Sequence, residues 1–596
     1  MTQAPDITIS IDGRTLTVPA GTTVLQAAER LGIRIPTLCY HPRLSIPGAC
    51  RVCIVQVEGM DAYVTACNHP VWEAMAIQTL TPEIRQARRD IVELLLDNHP
   101  MDCQTCERDG RCELQNLAYT LGVRERLFAG ERKSFAKDDH NRAVQREPDK
   151  CILCGRCVRV CAEVQGVHNL SQQGRGFRTL VSPAHGANMD DSVCVHCGQC
   201  VSVCPTAAFL EQSSTERVWA ALADPNITVI AQTAPAVRVA VGEGFGLPPG
   251  TVHTGRMVAA LRALGFDAVF DTNFGADLTI VEESHELIQR LASGQHLPML
   301  TSCSPAWINY MERFFPELIH LASTCRSPMS MTSSLIKTYY AEKRGLNPDQ
   351  IFVVGIMPCV AKKYEASRPE LTTTTGRPLT DAVLTTREFV WMVKACGIDY
   401  WTLQHIDLGT FPEETFDAPL GLSSGAGDIF GTTGGVMEAT LRTAAAQLAG
   451  DDAPQLEFTA VRHATGVRRW EVTLDQRRVQ VAVVDGLAQA HQLLRAVHAG
   501  QEHLDVIEVM ACPSGCVGGG GQPYPPAGVK ALDPEMLRQR AQALYSIDAG
   551  KTLRRSHENP AIKALYRDFL GQPGSDKAHQ LLHTSYGEKS PRGIAK

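Results

Sequence analysis

The chain has 596 residues, 21 cysteines and a formal net charge of −7. That length predicts several domains with buried cores, and the acidic balance argues against nucleic acid or an anionic membrane as the main partner. No run of about 18 or more apolar residues occurs, so no spanning helix is expected. The opening "MTQAPDITISIDGRTLTVPAG" reads as alternating strand rather than a signal peptide, and a cytoplasmic location is the expectation.

Nearly all the cysteines sit in tight clusters, where thiolates converge on a metal, unlike the disulfide framework of a small secreted domain. The first set is Cys39, Cys50, Cys53 and Cys67, spaced C-x10-C-x2-C-x13-C among strands and Gly/Pro loops. Four thiolates on a β-rich scaffold suit a [2Fe–2S] cluster, with a structural zinc as the plainer alternative. The plant-type spacing does not fit. The longer first gap resembles the N-terminal domain of the large iron–sulfur subunit of respiratory complex I.

The second set is His99, Cys103, Cys106 and Cys112, reached through a Leu-rich helix expected from about Ile84 to Leu96. Three thiolates and one imidazole bind zinc or iron on chemistry alone. Directly after a [2Fe–2S] module, this order resembles the His-ligated [4Fe–4S] domain of complex I and iron-only hydrogenases, which implies iron. A charged connector, "AGERKSFAKDDHNRAVQREPDK", then reads as a linker.

Beyond it, "CILCGRCVRVC" supplies Cys151, Cys154, Cys157 and Cys161, and "CVHCGQCVSVCP" supplies Cys194, Cys197, Cys200 and Cys204. The C-x2-C-x2-C-x3-C run, twice, is the two-cluster bacterial ferredoxin motif, in which the fourth cysteine of each run ligates the other cluster. Cys204 is therefore expected to complete the Cys151 set, and Cys161 the Cys194 set. Clusters in series make an electron wire, and a wire needs a terminus where chemistry happens.

From about residue 215 the chain mixes helices with apolar, β-branched runs: "ITVIAQTAPAVRVAV", "DAVFDT", "IFVVGIMPC" and "LDVIEVMAC". They predict buried strands of an α/β domain with functional groups at their C-terminal ends. Two runs end in a cysteine, Cys359 and Cys512, and Cys516 follows in the second loop. Gly518 to Gly521 are expected to let the backbone approach something bulky. Cys325 and Cys396 fall outside every motif and read as buried apolar fillers.

"TSCSPAW", "MPCVAKKYE" and "EVMACPSGCVGGGGQP" resemble the three defining motifs of [FeFe]-hydrogenases. "SGAGDIFGTTGGVMEATLR" resembles the core segment between the second and third motifs, and "NPAIKALYRDFLGQPGSDKAHQLLHTSY" the region homologous to the family's small subunit. The resemblance covers essentially the whole chain, in the module order of the clostridial monomeric enzymes. It implies reversible H₂ chemistry at an H-cluster, a [4Fe–4S] cubane joined by one thiolate to a two-iron unit bearing CO, cyanide and azadithiolate. One [2Fe–2S] and three accessory [4Fe–4S] clusters would feed it. By the same resemblance Cys359, Cys512 and Cys516 ligate the cubane, with Cys516 the bridge. Lys362 hydrogen-bonds one cyanide, Met357 and Met510 pack around the bridge, and Ala234, Pro235, Ala236, Phe430 and Gly431 line the cofactor. Taken alone, a buried Met is core filling and a lone Lys a solvated charge; their places in the motifs reverse that.

The family moves protons through a cysteine beside the cluster, then carboxylates and a serine. Cys303, Glu283, Ser323, Glu286 and Arg290 match that route, and Glu283 and Glu286 lie three apart on one helical face. Without the resemblance they would be a surface Glu-rich helix start. The first motif usually holds two adjacent cysteines, the second being the fourth cubane ligand, and Ser304 stands in that position. Three readings stay open. Ser304 ligates through oxygen, making the cubane harder to reduce; or Cys303 swings over to ligate; or no fourth ligand exists and the cubane is labile.

The expected architecture is multidomain, α+β and α/β. It comprises a β-grasp [2Fe–2S] domain (1–80), a His-ligated [4Fe–4S] domain (81–130) and a two-cluster ferredoxin domain (140–212). A large α/β H-cluster domain (215–530) and a helical small-subunit-like segment (531–590) follow. Expected partners are a ferredoxin or other small electron carrier and maturation proteins. NAD(P)H- or formate-linked subunits also fit, although no nucleotide-binding glycine fingerprint follows a predicted strand. The rival functions are a redox or H₂ sensor, an electron-transfer subunit and a cytosolic Fe–S assembly relative. The sensor is disfavoured by the retained Cys303 and the lack of an appended domain, the assembly relative by the proton-route residues.

Overall fold

A computed structural model describes residues 5–126, 128, 130–403, 415–449, 466–474 and 477–589. The N-terminal module is a five-stranded sheet in the order 14–19, 6–11, 76–78, 54–57, 64–65. Strand Asp6–Ile11 lies antiparallel to Arg14–Pro19 and parallel to Ala76–Gln78, the mixed pairing of a β-grasp sheet. Helix Val24–Arg30 covers it, started by a reciprocal capping box between Thr23 and Gln26. Ile9, Ile11, Leu25, Val55 and Ile77 form the core beneath.

The helix predicted before His99 runs Pro82–Asp97, with Thr81 as N-cap and Pro82 in the first turn. The linker reading of the charged connector is corrected. Asp138 and Asn141 are buried, Asp138 pairs through both backbone bonds with Arg146, and Met189 N–H donates to the Asp138 carboxylate. The connector is thus half built into the ferredoxin module, where Val144–Arg146 lies antiparallel to Phe209–Glu211.

The large domain holds two four-stranded sheets. One is all parallel, in the order Ala268–Asp271, Thr228–Thr233, Ile351–Met357, Ala382–Thr385. In the other, Met299–Leu300 and Arg477–Asp485 flank Val506–Met510 in parallel, and Val467–Leu474 closes the edge antiparallel. Strands Ala268–Asp271 and Val506–Met510 are buried at every position, which is why they read as unbroken apolar runs rather than alternating ones.

Helices Pro534–Gly550, Pro560–Leu565 and Asp576–Leu582 belong to the tail, and Ile562, Leu565 and Leu582 share one core with Phe274 and Leu278. No helix among the described residues is long and apolar enough to cross a membrane. Two buried cations lock the modules together. Arg156 of the ferredoxin module forks onto Glu113 of the His-containing module, which also accepts from Lys530. Arg540 forks onto Glu243 at 2.7 and 2.6 Å and donates to the carbonyl of Val517 at 2.7 Å. Arg540→Met leaves the Glu243 charge buried without its partner, so it is expected to destabilise the catalytic domain by about 3–5 kcal/mol. Anaerobic thermal unfolding checks this, and the double variant Arg540→Met/Glu243→Met should recover most of the loss.

Candidate active site and its electron wire

All the cysteines among the described residues are free thiols. In the first set, Cys39 N–H faces the Cys50 sulfur at 3.4 Å and Cys50 N–H faces the Cys39 sulfur at 3.5 Å. Hydrogen bonds from the Cys39 and Cys67 thiols hold Cys50 and Cys53 below the ordinary thiol range, against burial. Cys67 also lies close enough to Cys39 and Cys50 to sense their charge, so the four make one group.

His99 carries the clearest sign of ligation in the second set. Burial first, then Lys133 nearby, lowers its pKa to about 4, so the ring is neutral. Its Nδ1 is buried without a hydrogen-bond partner among the described residues, as a ring nitrogen reserved for a metal would be. Cys106 is an electrostatic neighbour of both Cys103 and Cys112.

The ferredoxin thiols group crosswise. Cys157 is raised by burial, then by Cys151, Cys154 and Cys204, and least by Cys200, whereas Cys197 has Cys200, Cys161 and Cys194 as its thiol neighbours. The loops of successive sets touch. Arg159 donates to the carbonyls of Cys39 at 2.7 Å and Cys154 at 3.2 Å, and Glu113 N–H, one residue beyond Cys112, donates to Pro205 O, one beyond Cys204. At the inner end, Gln199 Nε2 donates to Gly518 O at 3.1 Å, and a Cβ on Gly520 would lie 2.9 Å from the carbonyl of Cys197. His196 stacks on Tyr364 with ring centroids 4.1 Å apart. The glycine run is thus explained by protein backbone: a Cβ at Gly519 would lie 2.2 Å from Pro358 O, beside Cys359.

The catalytic thiols arrive from strand ends. Cys303 follows Met299–Leu300, Cys359 follows Ile351–Met357, Cys512 and Cys516 follow Val506–Met510, and Ala234 follows Thr228–Thr233. Cys512 senses Cys359 and Cys516, and burial followed by Cys359 pushes Cys516 up to about 12. Burial raises the Cys303 thiol as well. Thiols of like charge brought this close suit a cationic metal cluster better than a bare core. Met357 and Met510 are buried, and Phe430, Met510 and Cys303 share one apolar cluster. Gly431 packs against Ala236, where a Cβ would meet the Ala236 Cβ at 3.4 Å. Pro235 is buried between Ala234 and Ala236.

Lys362 Nζ donates to Ser327 Oγ and Glu365 Oε2, both at 2.7 Å. An ammonium has three donors, so one N–H is left for an anionic ligand group. Ser304 occupies the N-cap of helix Pro305–Phe314, a position where serine ordinarily caps, yet its hydroxyl accepts no first-turn N–H. The thiols of Cys359, Cys512 and Cys516 with the spare N–H of Lys362 fit a cyanide-bearing iron cluster.

Helix Thr272–Ser293 carries Glu283, Glu286 and Arg290. Glu283 is buried, and neither carboxylate oxygen has a hydrogen-bond partner among the described residues. Burial, then Glu286 and Glu508, push its pKa up to about 8. Ser323 Oγ donates to Glu286 Oε2 at 2.8 Å, and Arg290 holds Glu286 at 2.6 Å and the carbonyls of Leu321 and Ala322 at 2.8 Å. Glu283 is thus fully buried, and Glu286, three residues further along the helix, keeps 13% of its side chain accessible.

Sequence reasoning passed over Glu508, which is fully buried and accepts from the backbone of Gly434 and Met437 at 2.7 and 2.6 Å. A single carboxylate inside "VIEVM" was its signal. Cys325 is buried, as expected, whereas Cys396 is exposed at a helix C-terminus and does not fill a core.

The comparisons agree with this geometry. The family profile for the iron-only hydrogenase large subunit, C-terminal domain, matches residues 227–520, and the iron hydrogenase small subunit profile matches 534–589. A 2Fe-2S cluster binding domain matches 4–82, the NADH-ubiquinone oxidoreductase-G iron-sulfur region 88–126, and a 4Fe-4S dicluster domain 137–208. The chain is 48% identical over 593 residues to the NADP-reducing hydrogenase subunit HndD of Solidesulfovibrio fructosivorans, spanning 97% of this chain and 98% of that one. It is 37% identical to iron hydrogenase 1 of Clostridium pasteurianum over 97% of this chain and 99% of that one. A solved apo [FeFe]-hydrogenase HydA1 variant from Chlamydomonas reinhardtii aligns with a TM-score of 0.55 and 41% identity, over 63% of this chain and 99% of its own.

The chain belongs to the [FeFe]-hydrogenase family. It is an oxidoreductase acting on hydrogen, with [2Fe–2S], [4Fe–4S] and H-cluster cofactors.

The raised Glu283 pKa has a stability consequence. The neutral acid is favoured in the folded protein, so its contribution is full below the unfolded pKa of about 4.3 and is lost as pH rises through about 8. Glu283→Gln stays neutral throughout. Its stability relative to wild type is expected to rise by up to about 1.4 kcal/mol per pH unit across that window. Thermal unfolding at about pH 6 and about pH 8 measures the difference.

Proposed function

We propose that the chain interconverts protons, electrons and H₂, with Cys359, Cys512 and Cys516 as thiolate ligands of the H-cluster cubane and Ser304 as its fourth, oxygen donor. The observation that carries this is the convergence of these residues with Cys303 and Lys362 from the ends of separate strands. The H-cluster, when bound, supplies the irons at which protons and electrons combine. Lys362 orients its cyanide, Met357 and Met510 exclude water, and Phe430, Gly431 and Ala234 to Ala236 wall the pocket. Cys303 and Glu283 pass protons to Ser323 and Glu286, with Arg290 holding the outer carboxylate in place.

Cys39, Cys50, Cys53 and Cys67 hold the [2Fe–2S] cluster, and His99 with Cys103, Cys106 and Cys112 one cubane. The crosswise ferredoxin groups hold two more. Electrons come from a ferredoxin-type carrier in the cytoplasm. A second reading, a hydrogenase subunit working beside an NADP-linked partner chain, draws on the near-full-length likeness to the NADP-reducing subunit.

Protein matured with its assembly factors should contain about 20 irons per chain. Cys303→Ala and Glu283→Gln should each slow H₂ turnover about 10²- to 10⁴-fold with that iron content unchanged; unaltered rates in both would dismiss the route. Ser304→Cys tests the oxygen donor. An alkoxide places more negative charge on the cubane than a thiolate and favours its oxidised state. The variant's cubane should titrate at a higher potential by electron paramagnetic resonance, and an unchanged potential would show that Ser304 is not a ligand.

A further inference from the structure

Two side chains beside Glu286, at the outer end of the proton route, are not used by the function proposed above: Cys325 and His583. One ligand atom from each of Glu286, Cys325 and His583 lies within 4.8 Å of the other two. We infer that these three residues form a binding site for a divalent transition-metal ion, zinc above all, and that the bound ion closes the outer end of the proton route. The closure rests on the proton route as proposed; the site itself does not.

The donor set is sulfur, nitrogen and oxygen, one of each. Magnesium and calcium call for oxygen ligands, whereas zinc takes thiolate, imidazole and carboxylate together in tetrahedral sites and readily keeps a water as fourth ligand. The three donors are also held in place before any ion arrives. Cys325 and His583 face each other across an antiparallel bridge, flanked by Arg326 N–H on Leu582 O and Thr584 N–H on Thr324 O, both at 2.8 Å. Glu286 is fixed by Arg290 at 2.6 Å, Ser323 Oγ at 2.8 Å and Thr324 N–H at 3.1 Å.

A second observation concerns the histidine. His583 Nε2 lies 3.2 Å from Glu282 Oε2. Glu282 is buried and also accepts from Tyr566 OH at 2.5 Å and Gly574 N–H at 2.9 Å. With a hydrogen on Nε2 the imidazole donates to the same Glu282 oxygen that accepts Gly574 N–H, which leaves the lone pair on Nδ1. A carboxylate behind one ring nitrogen with a lone pair on the other is the arrangement that orients metal-binding histidines. Among the described residues Nδ1 meets the Thr324 hydroxyl alone, at 2.8 Å, and Thr324 is exposed, so that hydroxyl can turn to water when an ion binds.

Access and consequence follow from the same geometry. Thr324 is exposed beside the group and Glu286 keeps 13% of its side chain accessible, while Glu283 is sealed. On binding, the Cys325 thiol proton leaves to solvent and the ion takes the thiolate, the Glu286 carboxylate and the imidazole. Glu286 then has its charge committed to the metal and no longer exchanges protons with Ser323.

The test uses the matured, iron-loaded protein, chelator-washed and given zinc. The expected result is one extra tightly held zinc in wild type, with an X-ray absorption spectrum showing one sulfur at about 2.3 Å among nitrogen and oxygen donors at about 2.0–2.2 Å. Cys325→Ala should lose it, and His583→Gln should bind at least about tenfold more weakly. Each protein's H₂ turnover is compared with itself before and after zinc. Wild type should slow about 100-fold, with iron content constant, and recover with chelator; Cys325→Ala should not respond. Wild type holding no more zinc than the two variants overturns the site. Zinc bound with the expected donors but turnover unchanged overturns the closure, and places the proton route elsewhere while the metal site stands.

Discussion

The constraint on which this structure depends is that strands of two separate sheets end at one place. Thr228–Thr233 and Ile351–Met357 come from one sheet, Met299–Leu300 and Val506–Met510 from the other. Ala234, Cys359, Cys303 and Cys512 stand within three residues of those ends. Such positions are fixed by ladders of backbone hydrogen bonds rather than by loops. The cost is burial of several thiols and of Glu283 and Glu508 in one interior. Burial raises every one of them. A cationic cluster answers the thiols, and a proton on Glu283 answers the carboxylates.

The same reasoning extends outward along the wire. Each accessory set is a group of buried or half-buried thiols whose charges oppose one another, and cations and backbone donors sit between the sets. Arg159 bridges the loops of Cys39 and Cys154, Lys133 donates to the carbonyl of Cys151, and Arg156 with Lys530 flanks Glu113 next to Cys112. These contacts both neutralise the ends and hold neighbouring loops together, so the distance between clusters is set by direct packing. At the last step the ferredoxin loop and the glycine run meet backbone to backbone, which is why that run tolerates no side chain.

Much of this was legible in the sequence because metal ligands are read by spacing. The ferredoxin cysteines repeat at fixed intervals, and the buried parallel strands are unbroken apolar runs. What stayed hidden was contact between distant segments. His583 lies in an unremarkable tail, and only the antiparallel bridge to Cys325 brings it to Glu286. The charged connector read as linker because polarity was its visible property, yet Asp138 is buried against Arg146 and Met189. Glu508 was masked by its strand. Its partners are backbone N–H groups at the start of helix Gly435–Ala449, which no side-chain pattern announces. The glycine run was recognised, but its neighbour is protein backbone, which only the fold reveals.

Ser304 sits at the start of helix Pro305–Phe314 without capping it, which leaves its hydroxyl for another partner. The central claim is that the pocket so formed still holds a complete H-cluster. Infrared spectroscopy of the anaerobically matured protein tests it most directly, because CO and cyanide stretches arise only from the two-iron unit. The account predicts sharp bands of both kinds that shift when H₂ or a reductant is added. A fully iron-loaded accessory wire without CO or cyanide bands would contradict it.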